Sequence, residues 1–360
     1  MIYLLAALHA LVDAACAAKL YSAAGSLTVM EISSWFLLYN LIAFSTQAIL
    51  GGILDTVFHR QHLIAAVTGA VIVALGAAFT LTLPVSVCMI GLGNSLFHTG
   101  GGGYCLSVSR GKAAGIGLFV GPGSLGLVLG TLFPAAKAFF AAGLIILGIA
   151  VIYLVSTGDR FQMRKQTGAL FVLSEDKPQE DLPLSPWTRV MIAVFLCLAV
   201  VFRAFGGSFP SYSWKKGVTA IIVAAIFVMA GKIAGGFACD KFGAVRTIIV
   251  SSLLAAVIIA FFPDNAPASL VGILALNMAM PVTLILLYRS MNKYPAFAFG
   301  LAASVLFPGA LLGTMAGSGM GTASSPIRTG LFISFSLIAL IFVLVSCMLI
   351  ARRGKKEDFS

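Results

Sequence analysis

The chain is poor in charge. Only 10% of its 360 residues are Asp, Glu, Lys or Arg, against 60% hydrophobic, where an ordinary soluble domain carries roughly 25% charged residues. So few polar residues cannot coat a water-soluble body of this size, which excludes a soluble enzyme. The spacings of zinc, nucleotide and serine chemistry are missing too: there is no H-E-x-x-H, no G-x-x-x-x-G-K-S/T and no G-x-S-x-G. No enzyme activity and no cofactor are expected, and without a nucleotide-binding loop any transport must be driven by an ion gradient or run downhill. The six cysteines, Cys16, Cys88, Cys105, Cys197, Cys239 and Cys347, form no C-x-x-C pair and sit in or beside apolar runs. They read as small packing residues, with no disulfide framework and no metal site. No basic segment precedes the first apolar run, which therefore reads as a first span and not as a cleaved leader.

What is abundant is apolar sequence in continuous runs, which excludes the alternating pattern of a β-barrel. At about 20 residues per span, the runs predict an all-α membrane protein with twelve transmembrane helices. They fall near 2–21, 33–54, 63–83, 85–107, 113–133, 138–156, 189–205, 218–238, 247–262, 268–288, 296–317 and 329–351. A polar stretch interrupts the series once and defines four parts: a six-helix bundle over 1–156, a cytoplasmic central loop over 157–188, a second six-helix bundle over 189–351 and a cytoplasmic tail over 352–360.

The net charge of +11 suggests nucleic acid only if the basic residues share a soluble face, and they do not. With both termini on one side, 16 of the 23 Lys and Arg fall on that side, 5 on the other and 2, Arg203 and Lys232, inside spans. By the positive-inside rule this bias puts both termini in the cytoplasm of a multi-pass protein of the inner membrane. The expected partners are the lipid bilayer, protons and a small-molecule substrate, with no nucleic acid, and the chain is expected to act as a monomer.

The halves repeat one another. Gly51 to Asp55 follows the second span and Gly235 to Gly243 follows the eighth, with Asp55 and Asp240 185 positions apart. Pro122-Gly123 in the fifth span and Pro308-Gly309 in the eleventh are 186 apart. Two landmarks at nearly one offset indicate a duplicated six-helix unit. Because six is even, both copies have the same orientation, an arrangement that puts a binding site at the repeat interface near mid-membrane.

At these residues the chain resembles the major facilitator superfamily, whose loop between spans two and three reads G-x-L-a-D-R/K-x-G-R/K-R/K. The second copy matches through Gly236, Asp240, Lys241, Gly243 and Arg246; the first keeps Gly51, Asp55 and Arg60 but has Thr56, Phe58 and His59 at the other positions. Gly91 to His98 resembles a stretch of fosmidomycin-resistance-like transporters, with Thr99 in place of their proline, and the Gly-rich fifth span resembles the glycine-proline motif of drug/proton antiporters. The resemblance implies the major facilitator fold, two pseudo-symmetric six-helix bundles, and export by antiport. It implies that Gly51, Asp55, Arg60, Gly236, Asp240, Lys241, Gly243 and Arg246 form a cytoplasmic gating motif. Physically, an aspartate at a span end can accept from backbone amides at a helix start and latch helices together. Small residues such as Gly121, Gly126, Gly309 and Gly313 permit close helix packing, and Pro122 and Pro308 predict kinks.

Polar groups deep in apolar spans are expensive, so they normally face a cavity or a partner. They are His9 and Asp13 in span one, Asn94 and His98 in span four, Arg203 in span seven and Asn277 in span ten. In the resembled fold these four spans line the central cavity. Asp13, the only acid deep in a span, is the candidate proton-coupling residue, with His9 and His98 as further carriers. Arg203, Asn94, His98 and Asn277 are the candidate substrate contacts. Arg203 serves either as an anchor for an anion or as the ion-pair partner of Asp13. Lys232 is expected to snorkel to the cytoplasmic surface, and His59 and His62 to be solvated in a short loop. The sequence thus points to a proton-coupled secondary transporter of a small organic solute, by antiport. The alternatives are proton-coupled uptake of an anionic metabolite, and a non-transporting membrane protein such as a lipid scramblase.

Overall fold

A computed structural model describes residues 1–58, 61–166, 184–291, 293–319 and 326–354, the side chains of 158–166, 319 and 352–354 apart. The described residues are helical, with no strand. The helices are α1 (Ile2–Ala24), α2 (Val29–Asn40), α3 (Gln47–Thr56), α4 (His62–Ala78), α5 (Leu83–Val108), α6 (Ala114–Leu132) and α7 (Lys137–Gln166) in the first half. In the second half they are α8 (Pro186–Gly206), α9 (Gly217–Phe242), α10 (Ala244–Phe261), α11 (Ala266–Ser290), α12 (Pro295–Gly319) and α13 (Pro326–Gly354).

Ten helical stretches among the described residues are long and apolar enough to cross a membrane, with α2 and α3 counted as one. Two expected spans are not among the ten. α4 is apolar but only 17 residues long. α5 has 26 residues but carries Asn94, Ser95, His98, Thr99 and a run of four glycines. Most of α5 is buried against other helices, where polar groups meet protein and not hydrocarbon.

Local chemistry sets the helix ends. Thr28 and Glu31 form a reciprocal capping box at the start of α2. Gly243 turns the chain from α9 into α10 at φ +85°, a conformation that favours glycine. Hydrogen bonds from Ser213 hold the Asp264 carboxyl below the usual carboxylate range and tie the α8–α9 connection to the α10–α11 turn. The second span is not one regular helix. Its middle, Leu41–Ser45, is a π-turn between α2 and α3, and Thr46 there bonds both the Ile42 carbonyl and Ser95 of α5. Single π-turns of this kind are frequent at functional sites.

The two halves meet through α6 against α9 and α3 against α12, while α4, α7, α10 and α13 lie to the outside. Those outer helices expose large apolar side chains, among them Ile146, Ile149, Val250, Val257, Ile341 and Met348. Water would not tolerate so much exposed apolar surface, but lipid requires it. The pattern is that of a multi-pass membrane protein.

Glycines permit close helix approaches in both halves. A Cβ on Gly126 would overlap the Ala10 carbonyl of α1, and one on Gly309 would lie 2.6 Å from the Val201 carbonyl of α8. We expect Gly126→Leu to destabilise the fold by about 2–3 kcal/mol or more through overpacking. A lowered thermal midpoint in detergent checks this, and an unchanged midpoint would contradict it.

Candidate functional site

Eight helices, with the π-turn counted with α2, contribute to a cavity of about 260 Å³ between the halves. From the first half come His9 and Asp13 of α1, Tyr39 and Asn40 of α2, Phe44 of the π-turn, Asn94 and His98 of α5, and Val120, Gly123, Ser124 and Leu127 of α6. From the second come Val200 and Arg203 of α8, Lys232 of α9, Met280, Thr283 and Leu284 of α11, and Phe299, Ala302, Ala303 and Leu306 of α12.

Three titratable side chains converge on its α1–α5 wall. His9 Nε2 lies 3.3 Å from Asp13 Oδ2, and His98 Nε2 lies 3.7 Å from Asp13 Oδ1. The two Nε2 atoms are 2.8 Å apart. Each imidazole is pinned by its other nitrogen: His9 Nδ1 donates to the Phe119 carbonyl at 2.7 Å and His98 Nδ1 to the Asn94 carbonyl at 2.9 Å. A carbonyl only accepts, so both Nδ1 atoms carry hydrogen, and two neutral rings would then face each other with lone pairs. The 2.8 Å separation is a hydrogen bond only when one proton is shared between the Nε2 atoms. The pair is then a cation beside the Asp13 carboxylate, and the triad is neutral as a unit. Asn94 steadies it by donating to Asp13 Oδ1 at 3.2 Å, while its own buried Oδ1 has no hydrogen-bond partner among the described residues.

Arg203 shares the cavity but makes no ion pair with Asp13; its Nε is sealed from solvent and has no hydrogen-bond partner among the described residues. Lys232 does not snorkel to the surface as the sequence suggested. It lines the cavity, where Nζ reaches only the Val120 carbonyl at 3.4 Å. Its position on α9 turns it inward, a fact set by helix rotation that hydropathy does not report. Asn277 is apart from the others. It bonds back to the Ile273 carbonyl and lines a neighbouring cavity with Tyr212 and Lys215, which Ser124 separates from the central one. His9, Asp13 and His98 are the one His/Cys/Asp/Glu group among the described residues whose ligand-capable atoms all lie within 4.8 Å. Two fixed positive charges in the same cavity work against a divalent cation there.

The described residues of the expected gating motif lie at one end, where the halves touch. Asp55 at the end of α3 accepts from the backbone amides of Ala296 and Phe297, which open α12 in the other half, at 3.3 and 2.8 Å. Asp240 at the end of α9 accepts from the amides of Ala113 and Ala114, which open α6, at 2.6 and 2.9 Å. Each carboxylate thus caps a helix of the opposite half, where amide groups and helix dipole both favour negative charge. Gly51 and Gly236 make the approach possible, since a Cβ on either would overlap the backbone it faces, Ala296 or Ala113. Lys241 and Arg246 are exposed, and Arg60 lies outside the described residues. His62 is not solvated as expected: it opens α4 and its Nε2 lies 2.8 Å from Asp55 Oδ1. Its neighbour His59 lies outside the described residues. Gly121 and Pro122 in α6, and Pro308, Gly309 and Gly313 in α12, stand at matching places in continuous helices.

No family model matches the sequence, and no curated protein matches it either. Solved structures match along nearly the whole chain. One is a crystal structure of the major facilitator superfamily transporter FucP in the outward conformation, 14% identical, with a TM-score of 0.62 over 96% of this chain and 98% of that one. Another is a variant of the E. coli fucose:proton symporter FucP, 12% identical, TM-score 0.61, over 96% and 97%. A third is a bacterial homologue of the iron transporter ferroportin in an outward-facing state, 12% identical, TM-score 0.53, over 99% and 100%. The chain therefore has the major facilitator fold.

Proposed function

We propose that the chain is a proton-coupled secondary transporter of the cytoplasmic membrane. It acts as a monomer with both termini in the cytoplasm. Two six-helix bundles, 1–156 and 189–351, rock about the central cavity with twelve spans in all. Asp13, His9 and His98 carry the proton, Arg203, Asn94 and His98 meet the solute, and Asn277 acts from the adjoining cavity. The latch at Asp55 and Asp240 holds the cytoplasmic end shut. The observation that carries this reading is the cavity itself. It is lined from both halves, lies inside an end where two aspartates join the halves, and contains the His9, His98 and Asp13 side chains with their ligand-capable atoms within 4.8 Å of one another. Its charges face a central space and not a lipid-facing groove, which argues against a scramblase.

The resemblance to drug/proton antiporters supports export in exchange for protons. Uptake of an anion together with a proton is supported by Arg203 and Lys232, neither of which meets a carboxylate within 4.0 Å among the described residues. The purified chain in vesicles should move a solute from a broad metabolite and drug panel faster under an imposed pH gradient than without one. The sign of the gradient that accelerates uptake separates antiport from symport. If no solute responds to the gradient, the coupled reading is wrong.

A further inference from the structure

We propose that the central cavity binds a small organic anion, its carboxylate held between Arg203 and Lys232, and that the anion binds best when the histidine pair carries its proton. The second part rests on the transport reading above; the first does not.

The argument begins with charge. Among the described residues Asp13 is the only acid lining the cavity, against Arg203 and Lys232 from the other half. Asp13 is engaged elsewhere: both its oxygens face imidazoles, and Asn94 donates to one of them. With a proton shared across the 2.8 Å between His9 and His98, Asp13 is neutralised locally. The guanidinium and the ammonium are then left without a counter-charge in a low-dielectric space. Among the described residues Arg203 Nε has no hydrogen-bond partner, and Lys232 has only a long bond to the Val120 carbonyl. Two uncompensated cations at one cavity are costly unless an anion joins them. The guanidinium fork suits a planar carboxylate, and the ammonium supplies a second point charge.

The rest of the lining sets the body of the ligand. Phe44, Val200, Met280, Leu284, Phe299 and Leu306 are apolar. The volume of about 260 Å³ falls just under the roughly 300–1,000 Å³ of pockets for drug-sized molecules. A compact carboxylate with an apolar body matches both facts; a bulky drug or a free inorganic anion matches only one or neither.

Proton and anion are linked through Asp13. The other titratable or charged groups around it come from α1 (His9 and Cys16), α2 (Tyr39), α5 (His98), α8 (Arg203) and α9 (Lys232), while α6, α11 and α12 add none among the described residues. When the imidazole pair loses its proton, the Asp13 charge is free to offset one of the two cations. The anion then loses part of its attraction. Proton binding and anion binding reinforce one another, and by linkage the reinforcement is mutual.

The test uses the full chain in detergent with matched probes: benzoate and hexanoate against benzamide and hexanamide, with sulfate as the inorganic arm. The carboxylates should raise the thermal midpoint and the amides and sulfate should not. Arg203→Gln and Lys232→Met should each weaken carboxylate binding by about 10- to 100-fold, while the ligand-free midpoint stays level or rises. If Arg203→Gln does not fold, Lys232→Met carries the comparison. Carboxylate binding should also weaken as pH rises, and His98→Gln should flatten that dependence. Amides binding as well as acids, sulfate competing equally, no probe binding at all, or folded variants that bind unchanged would each overturn the anion site. If benzoate binds as described but crosses no vesicle under any gradient, the anion site stands and the transport reading fails.

Discussion

Asp13→Asn should cut pH-gradient-driven flux by about 100-fold or more while solute exchange at equal pH on both sides stays measurable. The carboxylate sits 3.3 and 3.7 Å from the two imidazole Nε2 atoms to which we assign the proton. Removing one partner of a buried charge pair costs about 3–5 kcal/mol, which is roughly 100-fold or more in occupancy of that proton. Asparagine keeps the shape of the side chain and an oxygen for Asn94, so the cavity survives while the proton is lost. The two assays separate the possibilities: counterflow reads whether the cavity still binds and rocks, and the pH-driven flux reads coupling alone. His98→Gln should act in the same direction, because the surviving His9 Nε2 then has no second imidazole with which to share the proton. Intact pH-driven flux in Asp13→Asn would place the coupling proton elsewhere in the molecule.

Much of this was legible in the sequence, for reasons tied to period and cost. Spans announce themselves by continuous apolar runs, and the Gly-x-x-x-Asp repeat with its 185-residue offset announces the duplication. The expense of burying His9, Asp13, Asn94, His98 and Arg203 sent them to one cavity. Rotation and partner choice were not legible. Hydropathy gives a helix its depth but not its facing, so Lys232 read as a surface residue and Asn277 as a cavity residue, although Lys232 lines the central cavity and Asn277 a neighbouring one. The aspartates read as latches, but their partners are amides of the opposite half, up to 242 positions away, a separation that no local pattern encodes. Nor did the π-turn at Leu41–Ser45 announce itself, since its sequence is as apolar as any span. The His9–His98 pair could have been suspected, because both residues have helix-turn spacing to a polar partner on their own span. That they meet each other depends on how α1 packs on α5.

The second large effect should come from the latch. Asp55→Asn combined with Asp240→Asn should turn the state open at that end from a minor to a major population. Each aspartate accepts two backbone amide bonds from the other half. Hydrogen bonds to a charged group contribute about 1.5–3 kcal/mol each. Asparagine keeps one acceptor oxygen, so each substitution forfeits about 1.5–3 kcal/mol, and the pair about 3–6 kcal/mol. Moving a two-state equilibrium from 1:99 to 99:1 takes about 5.5 kcal/mol and from 1:99 to 1:1 about half that, so the double substitution reaches a majority across its range and full inversion at its upper end, which neither single one does. Spin labels on cysteines placed at the exposed Val57 and Tyr294 sites, on opposite sides of the closed end, would report the change as growth of a longer distance. Lys241→Gln serves as the control. That side chain is exposed, and its one described contact is with the neighbouring Phe242 ring at 5.2 Å, so it should leave the distances unchanged. If the aspartates only mark topology, the double variant would resemble the control. If they latch, loss of the two caps should also speed exchange of a bound solute, because the closed end is what an outward-open carrier must break before it can release its cargo inward.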